Sequence, residues 1–168
     1  PRPFVPFDEV ICDFLNSLSA VLLADQSARI YPDVISFAYW CRKANIFKLK
    51  NDFNETRARL GLGLVFHIAP SNVPINFAFS YVFSLLAGNA NIVRVPSKDF
   101  PQTQVVCRAI NQIFKDEKYK EIQSGTVFVK YDQNDNITGS FSEKCNARII
   151  WGGDQAIQHI RRLPTPER

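Results

Sequence analysis

The sequence predicts an α/β fold in which a helical N-terminal section precedes an open parallel sheet with helices on both faces. Short apolar segments rich in β-branched and aromatic residues, such as 64–69, alternate with longer segments of helical periodicity. Gly, Pro and polar turn residues separate them. Apolar residues make up 46% of the 168 residues, which supports a buried core and argues against disorder.

The N-terminal section, residues 1–60, is predicted to be helical. Between residues 7 and 23 the apolar residues recur at three- and four-residue spacing, which predicts one helix with a buried stripe. A second helical segment is predicted from about Pro32 to residue 53, with Asp33 as its cap. The section ends in a polar run, and we expect it to pack on the domain that follows.

Residues 61–168 are predicted to form the sheet and its covering helices. Strands are expected at 61–70, 91–96, 125–132 and 147–153, with helices at 75–87, 101–117 and 154–163. The polar segment before the fourth strand is expected to be a loop with room for one short helix. Buried strands that alternate with helices indicate a parallel, Rossmann-like sheet with right-handed crossovers.

Composition argues against several classes of function. The net charge of +4 comes from scattered basic residues without a pattern of stacking aromatic residues, so we expect no nucleic-acid partner. We also expect no signal peptide, no membrane span and a cytoplasmic location. Four cysteines lack metal-ligand spacing, and no metal site is predicted; we expect most of them to be reduced and buried. They are Cys12, Cys41, Cys107 and Cys145.

Ligands of parallel sheets lie beyond the carboxyl ends of the strands, so the strand-end turns are the candidate sites: residues 70–74, 95–98, 131–135 and 151–154. The first turn reads Pro70-Ser71-Asn72-Val73-Pro74. Asn72 could donate a hydrogen bond into a cleft, as an oxyanion hole requires. It could equally cap the next helix or bond to its own turn. Residue chemistry alone leaves both interpretations open.

The second turn follows residues 91–96. Arg94 lies in an apolar strand, where an unpaired charge is costly, so we expect it to meet an anion or a carboxylate. Lys98 is either a solvated loop residue or lies where the ribose edge of a bound nucleotide would be.

The fourth strand ends in Trp151-Gly152-Gly153, and a helix is predicted immediately after it. Backbone N–H groups at such a turn can bind phosphate, although two glycines before an Asp also make an ordinary turn. Neither the dinucleotide fingerprint nor a P-loop is found. His67 is expected to be a satisfied core histidine and His159 a surface residue, and no Ser-His-Asp or Cys-His grouping is predicted.

Three segments in this order resemble the aldehyde dehydrogenase superfamily, and most closely its LuxC-type acyl-CoA reductase branch. They read GLGLVFHIAPSNVP, LLAGNANIVRVPSK and IIWGGDQAI, and the resemblance spans about residues 60–163. It implies a truncated aldehyde dehydrogenase-like fold in which residues 61–168 are a partial dinucleotide-binding domain. The catalytic domain would be absent from this chain, which contains no Met and begins Pro-Arg-Pro.

The resemblance also implies roles for the turn residues. The superfamily motif Pro-Trp-Asn-Phe-Pro corresponds to Pro70–Pro74, so Asn72 would donate to the oxyanion. Its Lys-Pro-Ser-Glu motif corresponds to Val95–Lys98, and a cation in place of the Glu favours NADPH over NADH. Its Phe-Thr-Gly-Ser turn corresponds to Ile150–Gly153. The implied cofactor-binding residues are Pro70, Ser71, Arg94, Pro96, Ser97, Lys98, Gly152 and Gly153.

The implied activity is the NADPH-dependent reduction of a fatty acyl-CoA thioester to the aldehyde through a cysteine thioester. The nucleophilic cysteine is expected beyond Arg168, so this chain should be inactive by itself. A homo-oligomer or an acyl-transferring partner enzyme is expected for the full-length protein. The alternatives are another reductase of the superfamily that acts on an acyl phosphate, and a non-catalytic binding module of the same fold.

Overall fold

The computed structural model describes residues 2–53 and 57–166, which form a four-stranded parallel sheet surrounded by helices. The helices are α1 (Glu9–Ala24), α2 (Pro32–Trp40), α3 (Lys43–Asp52), α4 (Asn76–Leu86), α5 (Pro101–Ile113), α6 (Lys120–Ser124), α7 (Asp135–Ser142) and α8 (Asp154–Arg161). The strands are β1 (Leu64–Ile68), β2 (Ala90–Arg94), β3 (Thr126–Val129) and β4 (Ala147–Ile150). The predicted α/β fold is confirmed.

The strands lie in the order β3-β2-β1-β4, and every neighbouring pair is parallel. The chain adds β2 and then β3 on one side of β1, and it places β4 on the other side. The strand order therefore reverses between β1 and β4. In open parallel sheets such a reversal leaves a crevice at the carboxyl ends of the two strands.

One face of the sheet is covered by the larger part of the core. α4 lies across β1 and β2, and its buried Phe77 and Tyr81 pack in the same cluster as Phe14 of α1 and Ile110 of α5. Burial of each such side chain contributes roughly 1.5–3 kcal/mol to folding. The N-terminal helix α1 is thus packed into the core that supports the sheet.

The opposite face carries a smaller cluster. Its buried members are Phe66 and Ile68 of β1 and Cys145, and the side chains of Phe141 from α7 and Ile160 from α8 cover them. The sheet therefore has one cluster on each face, as expected for a parallel sheet that is covered on both sides.

Two local predictions are wrong. The second helical segment is broken into α2 and α3 by Cys41 and Arg42, where the chain turns. Asp33 does not cap α2, because Tyr31 precedes the helix and the Asp33 carboxylate accepts a hydrogen bond from its neighbour Val34 instead.

The polar segment before β4 contains the eight-residue helix α7, capped by the side chain of Asn134.

Backbone hydrogen bonds hold the N-terminal segment Phe4–Phe7 against the residues that precede β1 and β2. The Phe4 N–H donates to the Gly88 carbonyl (2.9 Å), and the Gly61 N–H donates to the Phe4 carbonyl (3.0 Å). A Cβ on Gly61 would collide with the Gly88 carbonyl, and Gly88 also adopts a φ of +88°. Glycine is therefore required at both positions for the three backbones to approach each other.

α4 is strongly apolar but has only 11 residues. None of the helices within residues 2–53 and 57–166 is long and apolar enough to cross a membrane.

Candidate functional site

A cleft of about 490 Å³ opens at the carboxyl ends of β1 and β4, where the strand order reverses. The turns after β1 and β4 and the end of β2 form its floor, and α7 and α8 contribute to its walls. Most of the predicted site residues line this cleft: Pro70, Ser71, Asn72, Arg94, Ser97, Gly152 and Gly153. Pro96 is buried and Lys98 is exposed, and neither lines the cleft.

Asn72 is exposed at the cleft. It does not cap α4, because Ile75 precedes that helix and no side chain caps it. Within the described part of the chain its amide also makes no hydrogen bond to its own turn. The capping alternative is therefore wrong, and the amide is available to donate to a ligand.

Thr103 fixes the turn that carries Asn72. Its buried hydroxyl donates a 2.6 Å hydrogen bond to the Pro74 carbonyl, across from α5 to the end of the turn. The hydrogen bond joins the turn after β1 to the helix that follows β2. Sequence reasoning missed this residue, because nothing in the order of residues links position 103 to position 74.

Arg94 makes no ion pair with a carboxylate of the described residues, so of its two expected partners an anion stays a prediction. Its Nε and Nη2 donate to the Tyr131 carbonyl at 3.3 and 3.2 Å, and its guanidinium carbon lies 4.6 Å from the centre of the Tyr131 ring. A carbonyl and an aromatic face together satisfy a guanidinium while leaving its charge uncancelled. The cleft therefore has a cation on its floor, and burial raises the pKa of Tyr131 beside it.

The Gly152-Gly153 turn leads directly into α8. Gly153 precedes the helix, and no side chain caps it, so the first N–H groups of α8 are not occupied by a capping group. A Cβ on Gly153 would meet no atom within 4 Å, which shows that protein packing does not fill the space beside this turn. Asp154 adds a negative charge in the first turn of the helix.

His67 is a satisfied core histidine, as predicted. It is fully buried, with Nδ1 2.7 Å from the Ser80 hydroxyl and Nε2 2.9 Å from the amide oxygen of Asn91. Burial lowers the pKa of His67 to about 4, although the Asn91 hydrogen bond acts in the opposite direction. The indole Nε1 of Trp151 donates to the same Ser80 hydroxyl at 3.0 Å, which connects this buried group to the cleft lining.

His159 is exposed, as expected, but it also lines the cleft. Its Nε2 lies 2.9 and 3.0 Å from the two carboxylate oxygens of Asp135. The pair joins the first residue of α7 to the last turn of α8. Asp135 and Trp151 lie in two of the strand-end turns that the sequence marks as candidate regions, but neither residue was assigned a role, because their contacts depend on how the two helices pack.

The family model for acyl-CoA reductases of the LuxC type matches residues 45–167. This chain belongs to the acyl-CoA reductase (LuxC) family. The match covers most of the chain and extends beyond the resemblance at residues 60–163 in both directions, beginning within α3. No curated protein and no solved structure gives a significant match.

The LuxC-family chain has four free thiols, and none of them lines the cleft. Cys12, Cys41 and Cys145 are buried, and burial raises the pKa of each. Burial likewise raises the pKa of Cys107 to about 11. A nucleophilic cysteine needs a lowered pKa and access to substrate, and these four have neither.

Proposed function

We propose that this chain is the NADPH-binding part of an enzyme that reduces a fatty acyl-CoA thioester to the aldehyde. The observation that carries the proposal is the cleft, which gathers the Asn72 turn, Arg94 and the Gly152-Gly153 turn in a member of an acyl-CoA reductase family. Residues 61–168 would form the cofactor-binding domain, and residues 1–60 would support it.

The cleft suits a nucleotide cofactor. Its volume of about 490 Å³ lies in the range of ligand sites. The open space beside Gly153 and the uncapped start of α8 favour a phosphate group, and Arg94 supplies positive charge. NADPH supplies a hydride when it is bound. The residues that bind it would be those assigned from the sequence. Pro70, Ser71 and Ser97 line the cleft, and the buried Pro96 would support the turn after β2.

Asn72 would act on the acyl group. In the proposed reaction a cysteine thiolate displaces coenzyme A and forms a thioester, and the carbonyl oxygen becomes negatively charged as the thiolate adds. The Asn72 amide, which has no protein acceptor within the described residues, would donate to this oxygen. Preorganised donors of this kind commonly contribute about 10²–10³-fold in rate. Thr103 would keep the turn in place.

The nucleophile would lie outside this chain, because its four thiols are unsuited to the role. We therefore expect no reduction of acyl-CoA when the isolated chain is incubated with NADPH. Aldehyde formation by the chain alone would contradict the assignment. The family match favours a thioester substrate over an acyl phosphate. A homo-oligomer, an acyl-transferring partner enzyme and a cytoplasmic location stay predictions for the full-length protein.

Lys98 would select NADPH over NADH. It is an exposed cation two residues beyond Pro96, next to Ser97 of the cleft lining, and the described residues give it no ion-pair partner. A cation at this edge would attract the 2′-phosphate that distinguishes NADPH.

The test is a titration of NADPH and NADH with the full-length protein, followed by nucleotide fluorescence. Lys98→Glu should weaken NADPH binding about tenfold and leave NADH binding close to that of the wild type. Lys144→Glu is the matched control, since it makes the same charge change on an exposed residue before β4, at the other end of the sheet. An unchanged preference in the Lys98 variant would contradict the proposal. A panel of acyl-CoA substrates would then define the chain length.

A further inference from the structure

We propose that His67 and Ser80 are positioning residues that hold the indole of Trp151 in place as one wall of the cleft. Trp151 is the last residue before the Gly152-Gly153 turn, and its side chain is 45% exposed at the cleft. The claim that Trp151 is held in place depends only on the hydrogen bonds among these residues. The claim that this affects ligand affinity rests on the proposed NADPH binding.

The hydrogen-bond chain has only one consistent direction. Asn91 Nδ2 donates to the Asn89 carbonyl at 2.8 Å, so its Oδ1 is the acceptor that faces His67. The hydrogen of the neutral imidazole is therefore on Nε2, and Nδ1 is an acceptor. The Ser80 hydroxyl donates to Nδ1, which leaves its oxygen to accept the Trp151 Nε1–H. Every polar atom along the chain is thereby satisfied.

The hydrogen-bond chain runs through a buried part of the molecule. His67 on β1, Ser80 on α4 and Asn91 on β2 are all buried within an otherwise apolar region. Buried polar groups are costly unless every member is paired, and a fully paired network fixes one arrangement of its side chains. The two neighbouring strands β1 and β2, together with α4, therefore determine where the Ser80 hydroxyl lies.

Trp151 is the exposed member of this hydrogen-bond network. Its backbone N–H donates to the Ile68 carbonyl at 3.0 Å, which fixes the start of the side chain. The Nε1–H bond to Ser80 fixes the orientation of the indole ring. Without that bond a half-exposed tryptophan has several staggered rotamers available. A wall that is already ordered costs less entropy when a ligand binds, so we expect the anchor to contribute to affinity.

The first experiment uses the fluorescence of Trp151. The chain has two tryptophans, and Trp40→Phe leaves Trp151 as the single reporter. In that background Ser80→Ala should lower the fluorescence anisotropy of Trp151 and increase its quenching by acrylamide. Ser84→Ala is the matched control, because Ser84 is a buried serine one turn further along α4 that bonds to Asn89 and not to Trp151.

The geometric proposal is overturned if Ser80→Ala leaves anisotropy and quenching unchanged, or if the Ser84 control changes them equally. The second experiment titrates NADPH against chains that retain Trp40. Ser80→Ala and Trp151→Phe should each weaken binding about fivefold, and the double variant should be no weaker than either single one.

These readouts separate the two proposals. If the wild-type protein does not bind NADPH, the proposed function fails, while the anisotropy comparison still decides the role of Ser80. If NADPH binds and Trp151→Phe binds it as tightly as the wild type does, the anchor has no role in affinity and the proposal fails. Trp151→Phe alters an exposed ring, so this test remains available even if Ser80→Ala does not fold.

Discussion

The face of the sheet under α4 and the face under α7 and α8 differ in how fully they are filled. Under α4, the core continues through α1 and α5, and even the polar atoms of His67 are paired. Under α7 and α8, three buried residues form a small cluster, and the cleft occupies the space beyond them. The comparison indicates a rigid supporting face and an open binding face, which is how precise sites are commonly built.

The largest expected effect compares one phenylalanine from each face. Phe77→Ala, on the buried side of α4, should reduce the free energy of unfolding by about 3–5 kcal/mol, since it creates a cavity in a filled core. Phe141→Ala, on α7, should reduce it by about half as much or less, because Phe141 is only partly buried. Urea denaturation of both variants measures the difference. Equal losses would show that the two faces are filled alike.

A pH titration of stability tests the supporting face next. The folded-state pKa of His67 is about 4, below its ordinary value of 6.5, so between these values the unfolded chain binds a proton that the folded chain does not. The stability that depends on neutral His67 is complete above pH 6.5 and is lost as the pH falls towards 4. The full loss is about 3 kcal/mol.

The measurement is the free energy of unfolding of the wild type from pH 7.5 to 4, with His67→Gln for comparison. Carboxylates also titrate in this range, so the quantity of interest is the difference from the wild type. His67→Gln should show a shallower decline. A decline of equal slope in both proteins would mean that His67 is not held neutral.

The smallest expected effect concerns the hydrogen bond that joins the supporting face to the Asn72 turn. Thr103→Val removes the donor to the Pro74 carbonyl while keeping the shape of the side chain, and should cost about 1 kcal/mol of stability. Thr103→Ser retains the donor and should recover most of the loss. Differential scanning calorimetry of the three proteins would reveal this. Identical melting of the two variants would exclude a role for the hydroxyl.

The fold could be predicted from the sequence because strand and helix periodicities are local properties of the chain. The four strands and the helices α4, α5 and α8 followed from such patterns, and the buried state of His67 followed from its place in an apolar strand. The break at Cys41 and Arg42 did not, because apolar spacing continues across it and only packing decides where the chain turns.

The candidate site was predicted in part. Strand-end turns meet at one edge of a parallel sheet by geometry, so Asn72, Arg94 and the glycine turn could be placed together in advance. The partner of Arg94 could not, because a backbone carbonyl at Tyr131 carries no signal in the sequence. The hydrogen bonds of Trp151 and Thr103 could not be predicted for a related reason, because each joins the residue to one that is distant in the sequence.

The backbone hydrogen bonds of the segment Phe4–Phe7 limit the order in which the chain can fold during synthesis. Phe4 leaves the ribosome well before its backbone partners Gly61 and Gly88. Its docking must therefore wait until the turn before β2 has emerged, and loop closure over such a separation is slow compared with helix formation. We expect α1 to form early and the backbone hydrogen bonds of Phe4–Phe7 to form late, so deletion of this segment should speed unfolding and leave the folding rate nearly unchanged.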